Sequence, residues 1–240
     1  TALTLLEGGK KLASGSLDKT IWIWDLDTGK ELKKLEGHKS SVTALILLER
    51  GRMLAAGCTN GTIWIWDLDS GKELKKFKGH PGEVTALTSL EGGQQLASGS
   101  WEDDTVRIWD LDSCKELKKL EGHTQDVKVL TLLEGGKKLA GGCGRTICIW
   151  DLDSGKELKK LEGHTNDVQV LTLFEGGRKL ASGSEDNTIR IWDLDSGNEL
   201  KKLEGHTGMV SALTFLEGGK KLASGSLDKT IWIWDLDTGK

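Results

Sequence analysis

The sequence Lys19-Thr-Ile-Trp-Ile-Trp-Asp-Leu-Asp-Thr28 occurs twice in this chain, at residues 19–28 and at residues 229–238. Each copy lies in a 30-residue block, 1–30 or 211–240, and the two blocks differ at only two positions. Four related blocks lie between these two copies, and each of the six units contains a Trp-Asp pair. The tryptophans of these pairs are Trp24, Trp66, Trp109, Trp150, Trp192 and Trp234, at successive spacings of 42, 43, 41, 42 and 42 residues. A period this regular indicates one supersecondary unit repeated in series.

Each repeat has the pattern of four short strands. In the third repeat, residues 84–90 alternate and are rich in β-formers, and residues 95–100 are small and largely apolar, as suits a strand between neighbouring sheets. Glu91-Gly-Gly predicts a turn between them, because glycine adopts positive φ easily. Residues 105–109 and 116–120 are the predicted third and fourth strands of this repeat. Strands about 8–12 residues apart indicate an all-β fold.

The composition disfavours several classes of protein. The chain has 33 basic and 37 acidic residues, so its net charge of −4 provides no field for nucleic acid. No apolar run approaches the roughly 18–20 residues of a membrane span, and no signal-peptide pattern opens the sequence. The scattered Cys58, Cys114, Cys143 and Cys148 predict unpaired thiols in a reducing, intracellular compartment such as the cytoplasm. Targeting segments could lie outside this sequence, since it opens in mid-repeat.

The repeating unit Gly-His-x3-Val…Leu-Ala-Ser-Gly-Ser-x-Asp-x-Thr-Ile-x-Ile-Trp-Asp closely resembles the WD-repeat family over the whole chain. The best matches lie at residues 163–193 and 205–235. Family members fold as β-propellers with four-stranded blades around a central channel. The resemblance implies a single domain over residues 1–240 with six antiparallel blades, in units ending near 25, 67, 110, 151, 193 and 235. Glu-Gly-Gly replaces the usual Pro-Asp-Gly of the first turn and is expected to turn as tightly.

One blade is expected to be incomplete. Six units of 42 residues would need 252, and the sequence has 240. The missing part corresponds to one outer strand and one Gly-His loop. The chain is therefore either a slice of a longer array, which the sequence favours, or a six-bladed ring with one three-stranded blade.

The resemblance also implies a buried network of His, Ser, Asp and Trp in each blade. Three sets are complete in the sequence: His80, Ser98, Asp103 and Trp109; His164, Ser182, Asp186 and Trp192; His206, Ser224, Asp228 and Trp234. The second unit has Ala56 and Asn60, and the fourth has Gly141 and Gly144, so these two blades are expected to be the softest. Ser, His and Asp together could form a hydrolase triad, but a repeated group without a nucleophile-elbow motif favours a structural role. No catalytic residue is predicted.

No metal site or cofactor is predicted either. Asp25-Leu-Asp-Thr-Gly29 is similar to a calcium-binding loop, but Gly29 replaces the third oxygen ligand and the flanks are strands, so an Asp-rich β-turn is favoured. Cys143 and Cys148 are close in sequence, but a zinc site needs two further ligands.

The loops vary most between repeats while the framework stays constant, which is how such scaffolds acquire partners. The sequence offers apolar anchors and charged residues there, and the candidate partner-binding residues are Leu17, Lys39, Glu83, Trp101, Glu102, Asp126, Asp167, Glu185, Met209 and Leu227. The hypothesis is that this rim binds a protein or peptide segment with basic and apolar side chains. Neutral drift of individual loop residues is an equal alternative.

Two features have more than one interpretation. The recurring outer strand Glu-Leu-Lys-Lys-Leu is expected to point its leucines inward and its lysines outward, as a solvated edge rather than a polyanion-binding surface. Trp22, Trp64 and Trp232 occupy a position where other repeats have Arg107 and Arg190. These tryptophans could fill space between blades, which is favoured, or could form a docking patch.

The sequence thus predicts a non-catalytic, rigid platform for protein–protein contacts. The alternative is a structural building block of a larger propeller or multi-subunit assembly that contacts its neighbours through blade edges.

Overall fold

The computed structural model describes residues 2–48, 51–90, 93–120, 122 and 125–238, with the backbone alone at 7, 134 and 217. The described strands form six antiparallel sheets. The chain divides into two compact units, Thr1–Glu121 and Gly122–Lys240, with three sheets in each. The single domain expected over residues 1–240 stays a prediction.

The first unit contains three four-stranded sheets, each with its strands in sequence order. Sheet 1 consists of β1 (Ala2–Leu6), β2 (Lys11–Gly15), β3 (Ile21–Asp25) and β4 (Glu31–Leu35); sheet 2 of β5 (Val42–Leu47), β6 (Met53–Cys58), β7 (Thr62–Asp67) and β8 (Glu73–Lys78); sheet 3 of β9 (Val84–Ser89), β10 (Gln95–Ser100), β11 (Val106–Asp110) and β12 (Lys115–Leu120).

The second unit repeats this arrangement, except that the last sheet has three strands. Sheet 4 consists of β13 (Val127–Leu133), β14 (Lys138–Cys143), β15 (Thr146–Asp151) and β16 (Glu157–Leu161); sheet 5 of β17 (Val168–Phe174), β18 (Lys179–Ser184), β19 (Ile189–Asp193) and β20 (Glu199–Leu203); sheet 6 of β21 (Val210–Leu216), β22 (Lys221–Ser226) and β23 (Ile231–Asp235).

The Glu-Gly-Gly segments turn the chain between the first and second strands. At Glu175–Gly177 the turn is a single 3-10 turn, in which Gly176 and Gly177 have φ values of 67° and 86°. An L side chain rarely adopts this region, so the glycines are needed here. Similar turns lie at Glu7–Gly9, Glu134–Gly136 and Glu217–Gly219. The segment of the third repeat for which a turn was predicted begins at residues 91 and 92, which lie outside the described residues.

Within each unit, the sheets stack through two different faces. One face displays the isoleucines of the third strand (the Ile face), and the other displays its tryptophans (the Trp face). In sheet 5, Ile189 and Ile191 pack on Val210, Leu222 and Trp234 of sheet 6. The same face-to-face packing joins sheets 1 and 2, 2 and 3, and 4 and 5.

Glycines of the second strand allow these sheets to approach closely. A methyl group on Gly57 would come within 2.5 Å of a Val84 methyl group in the next sheet, and one on Gly183 within 2.7 Å of Val210. The small, apolar second strand is therefore required by the neighbouring sheet, as the sequence pattern predicted.

The expected inward orientation of both leucines in the outer strand is wrong. In sheet 5 the register pairs Ile191 with Lys201 and Trp192 with Glu199, so Leu200 is the extra residue of a β-bulge. Leu200 is 49% exposed, whereas Leu203 is 2% exposed. The first leucine of the other outer strands is about half exposed too: Leu32, Leu74, Leu117 and Leu158. Residues three apart cannot share a face of a strand, so only one leucine reaches the core.

The expected outward orientation of both lysines is also wrong, since the first lysine of four outer strands contacts the next sheet of the same unit. Lys201 Nζ donates hydrogen bonds to the carbonyls of Leu236 and Asp237, at 2.6 and 3.2 Å. Equivalent bonds are donated by Lys33, Lys75 and Lys159. The second lysine, such as Lys202, is exposed. The bulge places the first lysine on the Ile face, beside the Asp-Leu-Asp turn of the neighbouring sheet.

Candidate functional site

Three sheets contain a complete chain of hydrogen bonds between tryptophan, serine, histidine and aspartate. In sheet 3, Trp109 Nε1 donates to Ser98 Oγ at 2.8 Å, and Ser98 Oγ lies 2.6 Å from His80 Nε2. His80 Nδ1 lies 2.6 Å from an Asp103 carboxylate oxygen. Since a carboxylate only accepts, Nδ1–H donates to Asp103, and Nε2 accepts from the serine. The same chain joins Trp192, Ser182, His164 and Asp186, and Trp234, Ser224, His206 and Asp228.

Electrostatics maintain this arrangement. Burial lowers the pKa of His80, which favours the neutral ring that the hydrogen bonds require. Burial opposes ionisation of Asp103, but hydrogen bonds from His80 and Thr105 outweigh it and hold the pKa of this carboxyl below its usual value. Ser98 and Ser182 have no exposed surface, so their hydroxyls bond within the sheet and present nothing to a substrate.

Sheet 2 lacks the serine and the aspartate of the set, and its histidine therefore lacks one hydrogen-bond partner. Trp66 Nε1 donates directly to His38 Nε2 at 3.1 Å, because Ala56 has no hydroxyl. His38 Nδ1 is buried without a hydrogen-bond partner. Burial lowers the pKa of His38 to about 4. A buried nitrogen without a partner lowers stability, and this is the physical reason for expecting the second sheet to be soft.

Sheets 1 and 4 are incomplete in other ways. In sheet 1, Trp24 Nε1 donates to Ser14 Oγ at 2.8 Å. In sheet 4, the histidine of the repeat, residue 123, lies outside the described residues. A methyl group on Gly141 would come within 2.9 Å of the Trp150 ring, so the ring position excludes a larger residue there. The prediction that the second and fourth sheets are the softest stays a prediction.

The Asp-rich turns use their carboxylates internally, as β-turns do. Asp25 Oδ1 accepts hydrogen bonds from the backbone N–H and the hydroxyl of Thr28, at 2.7 and 2.6 Å. The same pair of bonds recurs at Asp67, Asp110, Asp151, Asp193 and Asp235. Among the described residues, no group of three or more His, Cys, Asp or Glu side chains is arranged to hold a metal ion. The four cysteines are free thiols, and burial raises the pKa of Cys143.

The varied loop residues come together in pairs along one rim of the sheets. In each case a backbone N–H before the third strand donates to a carbonyl of the loop before the first strand. These bonds join Trp101 to Glu83 at 3.0 Å, Glu185 to Asp167 at 2.9 Å and Leu227 to Met209 at 2.9 Å. Thr59 and Gly144 bond to Ser41 and Asp126 in the same way. The two loops of a sheet therefore form one rigid surface, which we call the loop rim.

In sheet 3 the rim combines an exposed aromatic ring with two carboxylates. Trp101 is 48% exposed, and Glu102 beside it has a φ of 73°. Burial, together with the like charge of Glu102, raises the pKa of Glu83. A methyl group on Gly82 would come within 2.4 Å of the Trp101 carbonyl, so glycine permits this close approach of the two loops. We call Glu83, Trp101 and Glu102 the sheet 3 rim site.

In sheet 5 the rim carboxylates already hold a cation of this chain. Lys128 Nζ lies 2.8 Å from an Asp167 oxygen and 3.2 Å from a Glu185 oxygen. Gln169 also donates to Glu185, at 2.7 Å. The sequence had offered Asp167 and Glu185 as charges for a partner, and the structure places both in an internal cluster.

The remaining candidate residues are dispersed along the rims. Leu17 and Leu227 are 69% and 66% exposed, Lys39 is exposed, and Met209 and Asp126 are half-buried. Ser41 Oγ donates to the Leu17 carbonyl at 3.2 Å.

Lys128 and Gln169 are the rim residues that the sequence reasoning missed. Both occupy the second position of the first strand, where the described repeats have Thr43, Thr85, Lys128, Gln169 and Ser211. This variation, inside an otherwise constant strand, is the signal that could have identified them.

Comparison with known families agrees with the repeat, the sheets and the hydrogen-bonded sets. The sequence model of the WD domain, G-beta repeat, matches residues 1–25, 29–67, 71–110, 114–151, 155–193 and 197–235. The chain belongs to the WD40 repeat family. The predicted fold class, an all-β propeller of six WD-type blades with one blade incomplete, is confirmed by this match and by five four-stranded sheets and one three-stranded sheet.

WD40 propellers generally act in protein–protein interaction and are generally non-catalytic. No curated protein matches this WD40 chain in a sequence search. In the part of the chain that the structure describes, no helix is long and apolar enough to cross a membrane.

Proposed function

We propose that this WD40 chain is a non-catalytic platform that binds a protein or peptide segment with basic and apolar side chains through its loop rim. The observation that supports this most is the backbone hydrogen bond that joins the two loops of each rim. It fixes variable side chains side by side on a rigid framework, so binding would cost little ordering of loops. The four free cysteines support a reducing compartment, such as the cytoplasm, as the place where it acts.

The preference for a basic segment rests on a contact within this chain, in which a lysine binds rim carboxylates. Lys128 binds two rim carboxylates, and their attraction raises its pKa although burial opposes this. At the sheet 3 rim site, the backbone of the exposed Trp101 is hydrogen-bonded to Glu83, and Glu102 follows Trp101 in the chain. A lysine or arginine of a partner would stabilise the ionised form of Glu83, whose pKa is raised first by burial, and the indole offers both apolar area and cation–π contact.

A peptide selection tests this proposal. Linear peptides displayed on phage and selected on the immobilised chain are expected to be enriched in Lys or Arg next to aliphatic or aromatic residues. Trp101→Ala and Glu83→Gln should each weaken a selected peptide about tenfold, as removal of an interface anchor does. Leu74→Ala, on the half-exposed outer strand of sheet 2, is the matched control and should leave binding unchanged. Selected peptides that bind the Trp101→Ala variant as tightly as the unaltered chain would contradict the rim proposal.

A second candidate function, a building block of a larger assembly, is favoured by two uncovered sheet faces. On the Ile face of sheet 6, Ile231 is 78% exposed, whereas Ile189 of sheet 5 is 0% exposed. On the Trp face of sheet 1, Leu3 is 64% exposed, whereas Leu45 of sheet 2 is 8% exposed. Light scattering over a range of concentrations tests this candidate: a mass above the 26.1 kDa of one chain supports assembly, and a constant monomer mass contradicts self-assembly.

A further inference from the structure

The aspartate of a complete set lies where donors converge from two sides. In sheet 5, one Asp186 oxygen is 2.8 Å from His164 Nδ1 and accepts from the Thr165 N–H at 3.0 Å. The other oxygen accepts from the N–H and the hydroxyl of Thr188, at 2.9 and 2.6 Å. Sheet 6 repeats these contacts at Asp228. A carboxylate serves both sides because each of its oxygens accepts hydrogen bonds.

Asn60 of sheet 2 has the aspartate position in the repeat, and it serves one side only. Its single acceptor oxygen, Oδ1, accepts from the Thr62 N–H at 3.2 Å, and its amide nitrogen can only donate. His38 is 7% exposed, and its Nδ1 is buried without a hydrogen-bond partner. Because Trp66 donates to Nε2, the neutral ring carries its proton on Nδ1. His38 therefore presents a buried donor that needs an acceptor.

The turn that bears Asn60 has the same backbone conformation as its counterpart in sheet 5. Gly61, which follows Asn60, has a φ of 75°, and Asn187, which follows Asp186, has a φ of 67°. The side chains differ, since that of Asp186 is 5% exposed and Asn60 is exposed. The amide thus lies towards solvent at a place where a carboxylate is buried in sheet 5, so a ligand can approach His38 from this turn.

The charge close to this position in sheet 2 favours an anion. Lys78 Nζ donates to the Asn60 carbonyl, and Lys39, which follows His38, is exposed. Burial lowers the pKa of His38 to about 4, and the positive charge of Lys76 acts in the same direction. In sheet 5 the aspartate adds a negative charge at this position, whereas the amide of Asn60 is neutral. An anionic acceptor would supply both the missing hydrogen bond and the missing charge.

We propose that sheet 2 binds a carboxylate group of a ligand beside His38, in the position that the Asp186 carboxylate has in sheet 5. One oxygen of the ligand accepts from His38 Nδ1 and from the Lys39 N–H, the counterpart of the Thr165 N–H. Two sources share this chemistry: a small free carboxylate, and an Asp or Glu side chain of a partner protein. The site is separate from the sheet 3 rim site and does not depend on the function proposed for the rim.

An NMR titration with sodium acetate tests this inference on the full chain, labelled with 15N-histidine. The His38 Nδ1–H signal is expected to shift saturably, with half-saturation at about 10 mM because the ligand has few atoms. The His164 signal should not move, since its acceptor is already present. Sodium chloride at the same concentrations controls for ionic strength and should give no saturable shift.

Two variants with opposite expected effects locate the acetate. Asn60→Asp supplies the acceptor from the chain itself and should weaken acetate binding at His38 by about tenfold or more. Asp186→Asn removes the acceptor from sheet 5, and acetate should then shift the His164 signal as it shifts that of His38 in the unaltered chain. Asn60→Asp is expected to fold, because three other sheets have aspartate at this position. The test therefore does not depend on the stability of Asp186→Asn.

Two short peptides, acetyl-Gly-Asp-Gly-amide and acetyl-Gly-Asn-Gly-amide, distinguish the two sources. A His38 shift with the Asp peptide but not with the Asn peptide assigns the site to a side chain of a partner. A shift with acetate alone assigns it to a free carboxylate, and either result supports the inference. Three results would overturn it: no saturable shift with acetate or the Asp peptide, an equal shift with chloride, or an Asn60→Asp variant that binds acetate as well as the unaltered chain.

Discussion

At the scale of single residues, one serine hydroxyl links the indole ring to the imidazole ring in each complete set. Ser98 accepts from the Trp109 indole and donates to the neutral His80 ring, which in turn donates to Asp103. Each donor and acceptor of the chain is used, which is the condition for a polar group to stabilise a core. Sheet 2 shows the opposite case, where Ala56 leaves His38 Nδ1 without a partner.

Restoring the missing partners in sheet 2 should stabilise the chain. We expect Ala56→Ser combined with Asn60→Asp to raise the free energy of unfolding by about 1–3 kcal/mol, because the orphaned nitrogen gains an acceptor. Ser98→Ala in sheet 3 is the matched control and should lower it by a similar amount. Urea unfolding followed by tryptophan fluorescence measures both changes. A destabilised Ala56→Ser/Asn60→Asp variant would show that sheet 2 is packed around the direct Trp66–His38 bond.

The buried histidines should make stability depend on pH. The pKa of His38 is about 4 in the folded chain and about 6.5 when unfolded. Its neutral form therefore favours folding above pH 6.5, and this contribution is lost as the pH falls towards 4. At pH 5 the loss from His38 is about 2 kcal/mol, and His80, whose pKa is also lowered, acts in the same direction.

Unfolding by urea at pH 7.5, 6 and 5 measures this dependence. The His38→Leu variant should lose about 2 kcal/mol less than the unaltered chain between pH 7.5 and pH 5. Parallel pH profiles for the two proteins would mean that His38 does not titrate on unfolding in this window.

At the scale of elements, the outer strand shows where sequence pattern stops being sufficient. Strict alternation in Glu-Leu-Lys-Lys-Leu cannot place both leucines on one face, and the pattern alone does not say which one is buried. The bulge at Leu200 decides it, because it re-aims the strand so that Leu203 and Lys201 share the Ile face. A bulge depends on pairing with the third strand, which local sequence does not encode.

The two lysines of an outer strand should therefore differ in their effect on stability. Lys201→Met should lower the free energy of unfolding by about 1–2 kcal/mol, because two carbonyls of the next sheet lose a charged donor. Lys202→Met, at the exposed neighbouring position with an ion pair to Glu204, should change it by less than about 0.5 kcal/mol. Equal effects of the two substitutions in thermal or urea unfolding would indicate that both lysines are solvated, as the sequence suggested.

At the scale of the whole molecule, the fold could be predicted because the repeat is so regular. A period of about 42 residues, with Gly-His, an Asp turn and Trp-Asp in fixed order, specifies the strands, the buried sets and the incomplete sixth sheet. The availability of the rim carboxylates to a partner could not be predicted from the repeat in the same way. Whether Asp167 and Glu185 are available depends on Lys128, which is distant in sequence and meets them only after the sheets stack.

The rim of sheet 3 has an exposed aromatic side chain, and the partner-binding role of its residues stays a prediction. Trp101 is exposed, and the loop that bears Trp101 and Glu102 is joined to the Glu83 loop by a backbone hydrogen bond. This site is therefore where the proposed platform function is most open to test.

Hydrogen–deuterium exchange of the chain, with and without a peptide selected on it, tests the platform function most directly. We predict slower exchange on peptide binding at residues 81–83 and 101–104, with little change in the outer strands. Protection confined to the outer strands or to β23, with none in those two loops, would contradict it.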